Sequence, residues 1–177
     1  SDLYVNNMLS ENQDQMLVGV TGRGIYRYNL ADKTKEMFLE TTKNIGVVKK
    51  DLNSNQLFIG LGRTFVKTKN YGDTLTKIQY ETIKTYRKSV QDIINVDDEI
   101  WVGLWSMGID ILNFDQEISA FKKEVVEKLS KSNVYTMLLD KNRNVWIGTR
   151  GTGLFKVDLD QKELTHFQPN KANGISS

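Results

Sequence analysis

The chain has 177 residues, of which 39% are hydrophobic, 26% charged and 10% aromatic, the balance of a folded soluble protein rather than a disordered one. Twenty-four Lys and Arg against 22 Asp and Glu leave a formal charge of +2, with the signs interspersed, so neither a nucleic-acid partner nor a membrane surface is expected. Cysteine is absent, which excludes disulfides, thiolate catalysis and cysteine-ligated zinc, and the longest apolar stretch, Ile100 to Leu112, is too short to span a bilayer and contains Asp110.

A single proline leaves the turns to Gly, Asn and Asp. Taken in chain order, "VNNMLSE" (5–11) and "QMLVGVTGRGIYRYNL" (15–30) read as three short strands, and Phe38 marks a fourth. "IGVVKKD" (45–51), "QLFIGLGRTFVKTKN" (56–70) and Ile78 repeat that order. "SVQDIINVD" (89–97), "EIWVGLWSMGIDILNFD" (99–115) and Phe121 repeat it again, and "KKEVVEKLSKS" (122–132) reads as a helical turn before the next group. The last group predicts strands at 134–140, 144–149, 153–158 and 163–168, the second and third lying in "NVWIGTRGTGLFKVDLD" (144–160).

The four groups are copies of one repeat. Gly19, Gly60, Gly103 and Gly148 recur at spacings of 41, 43 and 45 residues. Gly24, Gly108 and Gly153 follow five positions later, where the second copy has Phe65. Apolar residues alternate or run in short blocks without a helical period, and repeats of this length with four strands each predict β-propeller blades. The expected fold is therefore all-β, with about four four-stranded antiparallel blades at approximately 4–40, 45–81, 89–122 and 133–169. "NGISS" resembles the "KLSKS" (128–132) that precedes Asn133, so 170–177 reads as a linker to a further blade. The expectation is one partial propeller region, an open arc whose exposed blade faces favour self-association or packing against remaining blades.

Glycine-rich loops can cradle phosphate, but only where they lead into a helix N-terminus. After "RGTG" come β-branched and aromatic residues, so Gly151 and Gly153 read as hairpin glycines. Leu17, Phe58, Trp101 and Trp146 share one slot and read as blade core. "DKNRN" (140–144) lacks the glycine and the distal glutamate of a calcium loop and reads as an Asx turn. No metal or cofactor is expected.

Topology nominates a binding surface. In a four-stranded meander the turn between strands two and three lies at the same end as the link to the next blade. The turns at that end carry Arg23, Arg63, Trp105, Met107 and Arg150, guanidinium forks and an indole face suited to carboxylates, hydroxyls and sugar rings. They contain no Asp or Glu, and a glycosidase would need such a carboxylate or tyrosine–acid pair converging on one rim. His166, the single histidine, falls on an outermost strand and reads as a surface or packing residue. No catalytic residue is nominated.

The last repeat resembles the two-component regulator propeller repeat through Asn133, Val134, Asp140, Trp146, Ile147, Gly148, Thr149, Gly153 and Leu154. The third keeps Trp101, Val102, Gly103 and Gly108, and the first keeps Val18, Gly19 and Gly24. The second diverges most, and its "TKNYGDTL" (68–75) resembles a degenerate Asp-box of sialidase-type propellers. The resemblance implies the extracytoplasmic sensor region of a hybrid two-component system of the Bacteroidetes type. In such a system the propeller, in the periplasmic part of a membrane-anchored protein, senses an oligosaccharide and signals to a histidine kinase and a DNA-binding output. The alternatives are a propeller enzyme, sialidase-like or streptogramin-lyase-like, and a protein-interaction scaffold.

Overall fold

The structure is a computed structural model and describes residues 4–69, 71 and 78–168. The short apolar segments form four antiparallel sheets, each built from strands consecutive in sequence. The first is β1 (Val5–Ser10), β2 (Gln15–Val20), β3 (Gly24–Asn29) and β4 (Lys35–Leu39); the second is β5 (Ile45–Lys50), β6 (Leu57–Leu61), β7 (Thr64–Thr68) and β8 (Tyr80–Thr85). The third holds β9 (Val90–Val96), β10 (Glu99–Leu104) and β11 (Gly108–Leu112), followed by helix α1 (Ala120–Leu129). The fourth is β12 (Val134–Leu139), β13 (Asn144–Thr149), β14 (Leu154–Asp158) and β15 (Glu163–Phe167). This is the meander of propeller blades, so the all-β propeller architecture read from the repeats is the architecture the chain adopts.

Two features differ from the sequence expectation. The third sheet has three strands, because Phe121 lies on α1 rather than on a fourth strand. Ser119 caps the helix by accepting the Lys122 N–H, and Phe121, Val125 and Leu129, four residues apart, put one apolar stripe into the core. In the second sheet β8 runs to Thr85, beyond the expected end at 81, pairing Thr85 with Thr64 and Tyr80 with Thr68. Most of the Asp-box resemblance (Asn70 and 72–75) and the linker at 170–177 lie outside the described residues.

The chain forms two compact units, Ser1–Val90 and Gln91–Ser177. In the first, Leu17, Ile25, Ile45, Leu57 and Ile59 form the core. Beside it, the half-buried Arg27 guanidinium makes two bonds to the Glu11 carboxylate, 2.7 and 3.0 Å, and Tyr71 donates to the same carboxylate at 2.8 Å. Burial, then the bond to Glu11, raises the Tyr71 phenol above its usual range. In the second unit Trp101 is fully buried among Ile109, Val125, Leu129, Val134, Ile147 and Val157.

Within each unit, the two sheets mesh at a repeat glycine. A Cβ on Gly19 would lie 3.2 Å from the Ile45 side chain, and one on Gly103 would lie 2.6 Å from that of Val134. The leading residue of the next sheet thus occupies the space a side chain would take, which is why this slot stays glycine. Polar side chains add a second tie. Asn7 on β1 donates to Gly46 O at 2.7 Å and accepts the Val48 N–H at 3.3 Å, and Asp92 on β9 accepts the Met137 N–H at 2.6 Å.

Candidate ligand-binding rim

The meander predicts that each second turn meets the link entering the first strand, and backbone bonds in both units bear this out. Thr21 N–H donates to Tyr4 O and Gly62 N–H to Asn44 O in the first unit; Gly108 N–H donates to Ser132 O and Arg150 N–H to Asn133 O in the second. The tight turns that make this possible place Gly151 at φ 93° and Gly153 at φ 91°, conformations that favour glycine and lead into a strand rather than a helix.

In the first unit Arg23 and Arg63 stand exposed on the β2–β3 and β6–β7 turns. Neither guanidinium has a hydrogen bond or ion pair among the described residues, so both keep their donors for solvent or ligand. In the second unit the structure brings Trp105 and Arg150 together. The Arg150 guanidinium carbon lies 5.7 Å from the centre of the Trp105 ring, a cation–π arrangement. Met107, on the same turn as Trp105, is half-buried.

Two further residues complete this cluster. Tyr135 on β12 is 57% exposed and meets Trp105 edge to face at 6.2 Å. Asn133 ties the turns of the third and fourth sheets, accepting the Ser106 hydroxyl at 2.6 Å through its side chain and the Arg150 N–H at 2.9 Å through its carbonyl. Ser106 holds φ 54° to make that bond. A bulge between Val134 and Thr136 leaves Tyr135 and Thr136 both exposed between buried Val134 and Met137, so no strand period in "VYTM" marks Tyr135. The result is two aromatic faces at an angle, with a guanidinium beside them, a polar amide behind and no carboxylate.

The "DKNRN" turn is an Asx turn. Asp140 accepts the N–H groups of Asn142 and Asn144, both at 2.9 Å, and the Trp146 indole N–H at 2.8 Å. The indole bond, followed by the Asn144 N–H, lowers the Asp140 carboxyl to about 2. Arg143, at φ 60°, forks to both oxygens of Asp97 at 2.9 and 2.8 Å and reaches Asp160 at 2.9 Å. Among the described residues no group of three or more His, Asp or Glu side chains is arranged to hold a metal ion, and no helix is long and apolar enough to cross a membrane.

Residues 128–151 match the family model described as Two component regulator propeller. No curated protein matches the chain. Among solved structures, the extracellular domain assigned to the hybrid two-component system BT4673 of B. thetaiotaomicron is similar at a TM-score of 0.67 and 17% identity, over 93% of this chain and 24% of that one. The corresponding domain of BT3049 gives 0.56 and 12%, over 97% of this chain and 29% of that one. PorZ, a surface component of the type-IX secretion system of Porphyromonas gingivalis, gives 0.62 and 15%, over 92% of this chain and 27% of that one. The chain thus spans about a quarter of the length of each, and at such identities the likeness is one of fold.

Proposed function

We propose that this chain, a set of propeller blades carrying the two-component regulator repeat, is a non-catalytic sensor module that binds an oligosaccharide outside the cytoplasm, its parent protein passing the signal to a histidine kinase. The observation that carries the reading is the Trp105–Tyr135–Arg150 cluster. Sugar rings present C–H faces that pack on aromatic rings, while their hydroxyl and carboxylate groups accept from guanidinium and amide donors. Arg23 and Arg63 offer the same donor chemistry on the equivalent turns of the first unit. Similarity to extracellular domains of hybrid two-component systems supports the location and the sensing role.

The chemistry of the turns supports binding over catalysis. Glycoside cleavage needs paired acids, and residues 21–23, 62–63, 105–107 and 150–152 contain none. His166 has Nε2 at 2.6 Å from Thr152 O and Nδ1 at 3.2 Å from the Gln168 amide, so both ring nitrogens are engaged.

Titration of the purified chain with a glycan library, read by calorimetry, tests the proposal. Saturable binding is expected, weakened about tenfold or more by Trp105→Ala and by Arg150→Ala. Binding that survives Arg23→Ala, Arg63→Ala, Trp105→Ala and Arg150→Ala would overturn the rim assignment. A cleaved or eliminated glycan product would overturn the non-catalytic reading.

A further inference from the structure

The segment "KLSKS", which the sequence marks only as a linker, builds one wall of a cleft. The cleft has a volume of about 420 Å³ and lies between the C-terminal end of α1 and the outer strands of the fourth sheet. Phe155, Leu164 and His166 line it from β14 and β15, and Lys128 and Lys131 line it from the helix side, with the Ser132 and Thr152 residues at its edge. No acidic residue lines it.

The strands contribute an apolar and aromatic wall. Phe155 and His166 are register partners, and their rings stack at 3.9 Å with 9° between planes. The carbonyl of Thr152 can only accept, so the His166 Nε2 that approaches it at 2.6 Å carries the ring proton. Nδ1 lies 3.2 Å from the Gln168 amide, so the ring is held at both nitrogens. The opposite wall is cationic. Lys131 has no ion-pair partner among the described residues, and Lys128 has only an exposed pair with Glu124 at 2.8 Å, of the kind that contributes little and exchanges readily.

We infer that this cleft binds a small ring-bearing carboxylate, its ring face on the His166 imidazole, which is backed by the buried Phe155 ring, and its carboxylate beside the Lys128 and Lys131 ammonium groups. Stacking on the clamped imidazole supplies shape selectivity, and the paired lysines select charge. Trp105, Tyr135 and Arg150 do not line it; it shares only Thr152 with the turn that carries Arg150, so the proposal stands whether or not the rim binds a glycan.

The test titrates the full chain with glucuronate, benzoate, glucose and benzyl alcohol, followed by NMR of the His166 ring and backbone. One or both carboxylates are expected to saturate at about 10 mM or below, shifting His166, Phe155 and Lys131 signals, while their neutral partners do not. Glucuronate alone saturating assigns an acidic sugar as the source of the carboxylate, and benzoate alone an aromatic acid. Lys131→Ala is expected to weaken binding about tenfold and Lys131→Arg to preserve it, with affinity falling as salt rises. Three results would each overturn the inference: no saturation by either carboxylate, equal binding of the neutral analogues, or unchanged affinity in Lys128→Ala and Lys131→Ala. Loss of carboxylate binding in Trp105→Ala, with His166 shifts abolished, would also overturn it and move the ligand to the rim.

Discussion

Trp101 and Trp146 occupy the same slot of the second strand in the third and fourth sheets, and their surroundings differ. Trp101 is fully buried under α1, and its indole N–H donates at 3.1 Å to Glu99, a buried carboxylate that also receives Lys122 from the helix at 2.7 Å. Trp146 is half-buried, stacks on Phe167 of the fourth strand at 6.0 Å, and donates to Asp140 in the preceding turn. The fourth position of the repeat thus takes a helix in the third sheet and a strand in the fourth. A helix covers the sheet more completely than a strand, and in doing so it encloses a carboxylate that must be paired.

The largest test of this comparison removes each indole. Trp101→Ala is expected to destabilise the chain by about 3–5 kcal/mol and Trp146→Ala by roughly half that, measured by urea unfolding followed by circular dichroism. Equal costs would mean that the helix adds no burial of consequence. A smaller effect sharpens the role of the ion pair. Lys122→Ala leaves Glu99 buried without its cation and is expected to cost about 1–3 kcal/mol, whereas joining it to Glu99→Gln should recover part of the loss in a double-mutant cycle. The smallest effect belongs to the fourth sheet. The Asp140 carboxyl lies below its unfolded value, so its contribution is full above the ordinary Asp range, near pH 4, and is lost as pH falls through about 2. Melting temperature followed from pH 5 to 2 should fall less steeply in Asp140→Asn, and Trp146→Phe should move the Asp140 titration upward; an unchanged slope in both would remove the indole bond from the account.

The fourth sheet was legible almost to the residue, since Asx and glycine turns set off its four apolar segments. The fourth element of the third repeat was not, because Phe121 satisfies the strand spacing while Val125 and Leu129 complete a helical one. The end of β8 was hidden for another reason: "YETIKT" is almost wholly exposed, so no apolar alternation marks it. At the rim, meander topology alone puts Trp105 and Arg150 on turns at the link end. It does not show that the guanidinium stacks on the indole or that Tyr135 joins them, because those contacts depend on packing between successive repeats.

The side-chain ties of Asn7 and Asp92 bear on solubility. Within its own sheet, the first strand pairs on one side only, so its other side presents unsatisfied N–H and C=O groups, the template on which foreign strands add. Asn7 covers such groups at Gly46 and Val48, and Asp92 covers the one at Met137. A carboxamide or carboxylate at this place in the repeat therefore guards the next sheet against wrong pairing. In each unit the earlier blade polices the open edge of the later one.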